Sequence, residues 1–451
     1  MTTAARSRDT RTGGRAATTR HIPPTLALAV GMPTVVEPSG WQWRPLSELA
    51  RLESGHTPSR QHPEYWGGDV PWISIPDAKR CHGDVVNDTE ESTNALGIAN
   101  SSARLIPAGA VCLSRTASVG YVAITGRPMA TSQDFVNWIC GDLLLPEFLQ
   151  HLFIAEGENL LRFASGAVHK TIYFPEVKAF HVCVPDVATQ RRIVAILDEA
   201  IEGIATAKAN AEKNLRNARV LLACQSERLF ADGTAECSEQ PLETVASIVN
   251  GFAFKSADFS GKPGLKCIKI TNVGVGEFVA IEGGLLPFDF AGKYGAFAAA
   301  KGSIVLALTR TIIGAGLKVA VVPEEFGRSL VNQRVAAITA RQEKVTADYL
   351  FAYLRTGRVR AYVQGSVNTL MQPNLSIVDL RRLPVPVPPI AAQERLVESL
   401  ALLSEQVDGL ASVYHRKMAA LDELKKSLLH QAFSGTLQSG IRWVGARSAA
   451  F

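Results

Sequence analysis

Two kinds of hydrophobic spacing alternate along the chain, and each occurs twice. The runs PWISI, GAVCLS, GYVAI and FVNWIC, and later CIKI, GSIVLAL, LKVAVV and VAAIT, are short, apolar and bounded by Gly, Pro, Asn and Asp. They predict strands joined by turns. After each set comes a stretch with helical spacing. In the later one, apolar residues recur at Leu396, Leu400, Leu403, Val407, Leu410, Tyr414, Leu421, Leu424 and Leu428, in alternating steps of four and three broken at Lys417. That is the seam of a coiled coil. The earlier stretch places Ile193, Leu197, Ala200, Ile204, Ala207, Ala211, Ala218 and Leu221 at matching positions, and its alanines allow a partner helix to come close. A proline-bearing string precedes each stretch, VPD and then VPPI, where proline ends a strand but cannot sit inside a helix. Ser434-Gly435 predicts the stop of the second helix. About forty residues at a rise of 1.5 Å make a helix of roughly 60 Å, longer than a small globule needs. This favours two helices packed on each other as a rigid antiparallel spacer over two that each pack only on their own globule.

The two sets are copies of one ancestor. PLSELARLESG (45–55) aligns without gaps on PLETVASIVNG (241–251), LSRT (113–116) matches LTRT (308–311), Gln133 finds Gln333, and VCVPDVATQRRIV (182–194) aligns on VPVPPIAAQERLV (385–397). The spacing between matched motifs drifts by a few residues, as loop insertions between fixed elements produce. The fold class is therefore α+β: two duplicated α/β globules at 41–187 and 234–388, each followed by one long helix at 188–233 and 389–435. An extension at 1–40 and a tail at 436–451 complete the division.

Composition narrows the class. A chain of 451 residues with 47% hydrophobic and 20% charged residues is a folded soluble protein too large for one ordinary core. It has no apolar run long enough to span a bilayer, and Leu26 to Met32 is too short. Cysteines stand at 81, 112, 140, 183, 224, 237 and 267, with no CxxC pair and no His at zinc-ligand spacing. They read as reduced thiols of a cytoplasmic protein. A net charge of +5 permits a polyanionic partner without demanding one. Part of that excess lies in Arg6, Arg8, Arg11, Arg15 and Arg20, which face only Asp9. This start is expected to be disordered, with a transit peptide as the other reading.

The string SGHTPSRQHPEYWGGDVPWISIPDAKR (54–80) gathers His, Ser, Arg, Gln and Lys around a Gly-Gly turn, and it has the look of either an active-site loop or a reading surface. Catalytic signatures do not support the first. The chain has no GxxxxGK[ST], HExxH or GxSxG motif and no strand–GxGxxG–helix unit. The Asn/Asp-Pro-Pro-aromatic motif of amino-methyltransferases is missing too, the nearest string being Val387-Pro-Pro-Ile390. Pro76-Asp77-Ala78-Lys79 faintly resembles the Asp…Lys core of metal-dependent nucleases, but no second acid precedes it in a strand, and Asp77 reads as a turn cap. The copies point the same way: Gly55-His-Thr-Pro-Ser59 in the first stands where the second has Gly251-Phe-Ala-Phe-Lys255. Inherited catalytic groups tend to stay alike, whereas residues that read different targets need not.

GHTPSRQHPEYWGGDVPWISIPDA, GFAFKSADF followed by IKITNVG, and PPIAAQERLV…LDELKKSLLHQAFSGTL resemble the specificity subunit of type I restriction-modification systems, over residues 41 to about 437. The resemblance implies two target-recognition domains separated by an antiparallel coiled coil of two long helices. It implies a non-catalytic protein that binds double-stranded DNA at a bipartite asymmetric site, holds two methylation subunits and recruits restriction subunits. S-adenosylmethionine would sit in the methylation subunits, ATP and Mg in the restriction subunits, and no cofactor or metal in this chain. Two readers on a rigid rod would recognise two short sequences about one helical turn, roughly 34 Å, apart.

Loop side chains that combine phosphate positioning with base-edge hydrogen bonds are the expected contacts. In the first copy these are Thr57, Ser59, Arg60, Lys79, Arg80, Arg115, Thr116, Gln133, His169 and Lys170. In the second they are Lys255, Lys266, Lys269, Asn272, Arg310, Thr311, Asn332, Gln333, Asn368 and Gln372. For each, a solvated loop side chain is the competing reading. Trp66 and Trp72 read as residues that pin a loop, and His56 and His62 as surface residues. Arg191-Arg192, Lys208, Lys213, Arg216, Arg219, Lys417 and Lys425-Lys426 line the helices, either as plain coil surface or as part of a docking face for methylation subunits. Two other functional classes compete: a self-contained restriction or methylation enzyme, and a coiled-coil adaptor that binds protein.

Overall fold

The structure is a computed structural model, and it describes residues 27–28, 37–116, 118–166, 169–259, 263–281, 284–314, 316–366 and 374–437. The chain divides into two compact units: Met1–Ala209 with Lys417–Phe451, and Asn210–Arg416.

In the first unit, four strands, β1 (Ala50–Ser54), β2 (Val111–Ser114), β3 (Val122–Thr125) and β4 (Phe135–Cys140), form an antiparallel sheet in the order β1-β4-β2-β3. A short strand, Val85–Val86, adds in parallel to β3. β2 and β3 are buried along their whole length because both faces of the sheet are covered. Alternate residues go to opposite sides. Val111, Leu113, Val122, Ile124, Val136 and Trp138 meet Phe148, Leu149, Leu152 and Phe153 of helix α1 (Pro146–Glu156), while Cys112, Ala123 and Phe135 pack on Ile73, Ala78 and Met129. A second sheet, built on Trp66–Ile73, pairs antiparallel with Glu91–Thr93 and parallel with Ala130–Thr131.

The extension expected to be disordered over 1–40 contributes to this core. Ala27–Leu28 pairs in parallel with His181–Val182, and Leu28 joins the main cluster. Arg162, ion-paired to buried Glu156, also donates to the Ala27 carbonyl at 2.8 Å. Two apolar residues gain enough by capping an open sheet edge to leave the arginine-rich composition of their neighbours irrelevant.

The second unit repeats the plan. Strands β5 (Ala246–Asn250), β6 (Ile304–Ala307), β7 (Val319–Val321) and β8 (Val335–Ala340) take the order β5-β8-β6-β7. One face packs on Tyr349, Leu350, Tyr353 and Leu354 of helix α3 (Ala347–Leu354), the other on Ile268, Val322 and Val331. The α+β duplication expected from the repeat is the observed fold.

The two long helices are α2 (Val187–Thr234) and α4 (Ile390–Phe433). In the first unit, Ile193, Leu197, Ala200 and Ile204 of α2 share a core with Leu428, Leu429 and Ala432 of α4, and Lys208 Nζ reaches Asp422 Oδ1 at 2.7 Å. In the second unit, Phe230 of α2 shares a core with Leu396 of α4. The start of each helix thus pairs with the end of the other, so they run antiparallel. The seam drifts from strict heptads. Leu221, Leu410 and Leu424 are exposed, and the less exposed stripe continues instead through Leu222, Ala411, Met418 and Lys425. A straight helix turns by 3.6 residues rather than 3.5, which moves the contact line by about one position over this length. Gly435 adopts a left-handed φ of 71°, ending α4 where Ser434-Gly435 was expected to.

One residue fixes each helix to its globule. Gln190 of α2 is 0% exposed; its Nε2 donates to the Leu143 and Pro185 carbonyls, and its Oε1 accepts from the Leu145 N–H. Gln393 of α4, also 0% exposed, repeats this with the Lys344 and Pro388 carbonyls and the Thr346 N–H.

Candidate nucleic-acid interface

Antiparallel pairing dictates which loops meet. Val136 at the start of β4 faces Ser54 at the end of β1, and Phe135 faces Ser114 at the end of β2. The segments after β1, after β2 and before β4 therefore emerge together at one end of the sheet. In the second copy Ala336 faces Asn250 and Val335 faces Ala307, so the segments after β5, after β6 and before β8 do the same. The crossing is tight enough to require glycine. A Cβ on Gly55 would overlap the Ser132 carbonyl, and one on Gly251 would overlap the Asn332 carbonyl.

In the first copy the structure joins Thr57, Arg115, Thr116 and Gln133. Thr57 Oγ1 donates to Gln133 Oε1, and Arg115 Nη2 donates to the Gln133 carbonyl at 3.0 Å. Arg115 also accepts and gives through its backbone, to Ile172 and Asp134, and lies 5.1 Å from the Phe174 ring centre. Thr116 bridges to Thr171, next to exposed His169 and Lys170. Ser59 and Arg60 lie further out on the same loop. Arg60 forms a bidentate pair with Glu91, at 2.6 Å for both bonds, and its guanidinium stacks 3.8 Å from the Trp66 ring centre. The indoles pin this loop, as expected: Trp66 Nε1 donates to the Ser59 carbonyl and Trp72 Nε1 to that of His56. Lys79 and Arg80 sit on a short helix, Ile75–Arg80, that Asp77 caps. Burial alone pushes the Asp77 carboxyl up, but bonds from Ser74, the Glu90 N–H and Arg80 outweigh it and bring it below the ordinary range. Asp77 is the turn cap its context foretold.

In the second copy Lys255, Arg310 and Gln333 are exposed and Asn332 is half-buried at the strand junction. Lys266 and Lys269 are half-buried, each ammonium over an aromatic ring: 4.4 Å from that of Phe326 and 3.8 Å from that of Phe259. Two residues are withdrawn from the surface. Asn272 is 2% exposed, its Oδ1 taken by the Lys269 N–H and its Nδ2 by the Val279 carbonyl, because it occupies the turn-capping place that Asp77 holds in the first copy. Thr311 is 0% exposed beneath Lys318, whose N–H donates to the Thr311 carbonyl. Asn368 and Gln372 lie outside the described residues.

Residue-type reasoning missed Glu91, the partner that holds Arg60, and three cations of the second unit, Lys318, Arg355 and Arg360. Burial pushes the Cys112, Cys140, Cys183 and Cys267 thiols up to about 12, which keeps them protonated and unreactive. Among the described residues no group of three His, Cys, Asp or Glu side chains is arranged to hold a metal ion, and no helix is long and apolar enough to cross a membrane.

Comparison with known proteins gives a consistent picture. The family model described as the type I restriction modification DNA specificity domain matches twice, at residues 38–215 and 238–409. The specificity subunit of type I restriction enzyme MjaIX from Methanocaldococcus jannaschii is 29% identical over 170 residues, 37% of this chain and 39% of that protein. That of EcoR124I/EcoR124II from Escherichia coli is 30% identical over 165 residues, 35% of this chain and 40% of that protein. The aligned segments thus span about two fifths of these relatives' length. Among solved structures, a chain from a study of complex assembly in a type I R-M system covers 90% of this chain and 100% of its own, with a TM-score of 0.67 at 18% identity. The HsdS subunit from Thermoanaerobacter tengcongensis covers 89% and 98%, with a TM-score of 0.55 at 19% identity. These two share the fold.

Proposed function

Because the chain belongs to the family of type I restriction modification DNA specificity domains, we propose that it is the DNA-reading subunit of a type I restriction-modification complex. Its target-recognition domains, at 41–187 and 234–388, each read one half of a bipartite asymmetric site in double-stranded DNA. The helices at 188–233 and 389–435 hold the readers in register and offer a docking face to two methylation subunits, on which restriction subunits assemble. The chain itself is non-catalytic and works in the cytoplasm. S-adenosylmethionine, ATP and Mg are bound by its partners.

One observation carries this reading: two sheets of identical strand order present loops of different sequence at matching ends. A frame that is kept while its loops change suits two readers with different targets, and it does not suit a duplicated active site. Gln333 and Asn332 offer the donors and acceptors that bind base edges in the major groove, while exposed Arg310, Lys79, Lys170 and Lys255 suit phosphate. Asn272 and Thr311 support the loops from within. Sequencing adenine methylation across the genome, with this gene intact and then deleted, tests the proposal. Deletion is expected to erase one bipartite motif; loss of a continuous motif, or of none in a cell where the methylation partners are expressed, contradicts it.

A further inference from the structure

Around the turn that joins β6 to β7, the second copy carries cations where the first carries apolar or aromatic side chains. Glycines fix the correspondence. Gly83 and Gly276 share a left-handed φ, 88° and 78°, and donate to equivalent carbonyls, of Val122 at 2.8 Å and Val319 at 2.9 Å. A Cβ on Gly83 would meet Ile154, whereas one on Gly276 would meet the Arg355 guanidinium. In the same turns, Gly120, with φ of 106°, looks onto Leu160, and Gly316, with φ of 140°, onto Val275 and Arg360. Lys318 precedes β7 where Tyr121 precedes β3.

The fourth cation is Arg310. Its LTRT string matches LSRT in sequence, but the backbone sets Leu308 at the place of Arg115: Arg115 N–H donates to the Asp134 carbonyl and Leu308 N–H to that of Arg334. Arg115 is folded inward and holds three segments together through carbonyls. Arg310 is exposed, with a left-handed φ of 48° that few residues other than glycine adopt. Among the described residues, none of Arg310, Lys318, Arg355 and Arg360 is ion-paired to a carboxylate. Glu227, which accepts from the Gly357 N–H, lines one cavity with Arg355 and Arg360 and makes no ion pair with either. Lys318 Nζ rests on the Ile270 carbonyl at 2.9 Å. Burial and the neighbouring Arg310 charge pull the Lys318 ammonium below its ordinary value. Arg355 lies against Gly276 and Arg360 against Gly316, so both guanidiniums stand at the turn that carries Arg310 and Lys318, and this concentration of positive charge suits an anion.

We propose that Arg310, Lys318, Arg355 and Arg360 form a phosphate-binding surface, which grips the DNA backbone beside the bases read by the second copy and has no counterpart in the first. The inference rests on the DNA-specificity reading and adds an asymmetry to it. Guanidinium forks match phosphate oxygens, and such contacts set the register of a protein on the duplex without reading sequence.

The test uses the full chain assembled with its methylation subunits, a duplex carrying the methylated motif and a scrambled duplex of the same length. Affinity is measured over a range of salt for wild type, Arg355→Gln/Arg360→Gln and Arg355→Lys/Arg360→Lys. The Gln variant is expected to reduce the slope of log K against log salt by about 1 to 2, since each lost phosphate contact removes about 0.9. It should weaken both duplexes alike, and the Lys variant should recover most of the slope. An unchanged slope in an assembled, folded Gln variant overturns the proposal, as does weakening confined to the specific duplex. Loss of methylation subunits from a folded Gln variant overturns it in favour of a protein-docking face. If wild type itself shows no preference for the motif, the DNA-specificity reading fails instead.

Discussion

Gln190 and Gln393 occupy the same place in the two copies and do the same work, whereas the place that Arg115 holds in the first copy is taken by Leu308 in the second. The glutamines each saturate three backbone groups at a helix start from a fully buried position. Arg115 ties loops together through its guanidinium, and Leu308 packs into the core instead. Duplication has preserved the residues that fix frame to spacer and freed those at the loop end. The arginines of LSRT and LTRT, matched in sequence, stand two residues out of step in the fold, so likeness in the loops does not carry a role across.

The comparison can be broken at several points. The largest effect is expected at Phe230, near the end of α2, whose ring centre lies 5.9 Å from those of Tyr349 and Tyr353. Phe230→Ala should cost about 4 kcal/mol by urea unfolding. Its counterpart Phe433, 5.1 Å from Phe148 but partly exposed, should cost about half as much on substitution. Equal losses would show that the two helix ends are anchored alike.

Next come the glutamines. Gln190→Ala and Gln393→Ala each strand one N–H and two carbonyls, and each should cost about 3 kcal/mol. A loss in only one copy would mean that the shared geometry is not shared energetics.

The turn caps differ in charge, and pH exposes it. The Asp77 carboxyl is held below its ordinary range, so its ionised form is favoured in the folded state. Its contribution is fully present above the unfolded value, about pH 4, and is lost as pH falls through the lower folded value. Asp77→Asn should therefore lower the urea midpoint at pH 7, and the difference from wild type should shrink as pH falls below the unfolded value of about 4. Asn272 gives the second copy no such dependence. A wild-type advantage that keeps its pH 7 size however far the pH is lowered would remove the argument.

The smallest effect belongs to Glu91→Gln. The pair with Arg60 is roughly half exposed on both sides, and its loss should change stability by less than about 1 kcal/mol. Its signature should be in DNA affinity, because Arg60 loses the partner that orients its fork. A stability loss above about 2 kcal/mol would assign the pair to folding instead.

Much of this was legible in the sequence because periodicity and repetition are local signals. The strands, the two helices, the capping role of Asp77 and the loop-pinning indoles followed from spacing and neighbours. The resemblance of the helix-start and Lys-Lys-Ser-Leu-Leu motifs supplied the rest of the architecture. What stayed hidden depends on register between distant segments. Lys318, Arg355 and Arg360 come together only because Gly276 and Gly316 let loops approach, and Arg60 meets Glu91 only across the Trp66–Ile73 strand. Asn272 looked like a base-reading amide because its type is right, yet the turn it caps consumes its polar atoms. Gln190 and Gln393 stood in the most recognisable motifs of the chain, but nothing in their spacing tells which carbonyls they face.

The central claim is that each copy reads its own half of the site, and exchanging one copy tests it most directly. Residues 41–187 are replaced by the corresponding region of another specificity subunit, and the adenine methylation motif is sequenced. The account predicts that one half of the motif changes while the other half and the spacing between them persist. A change in both halves, or a motif left intact, would contradict it.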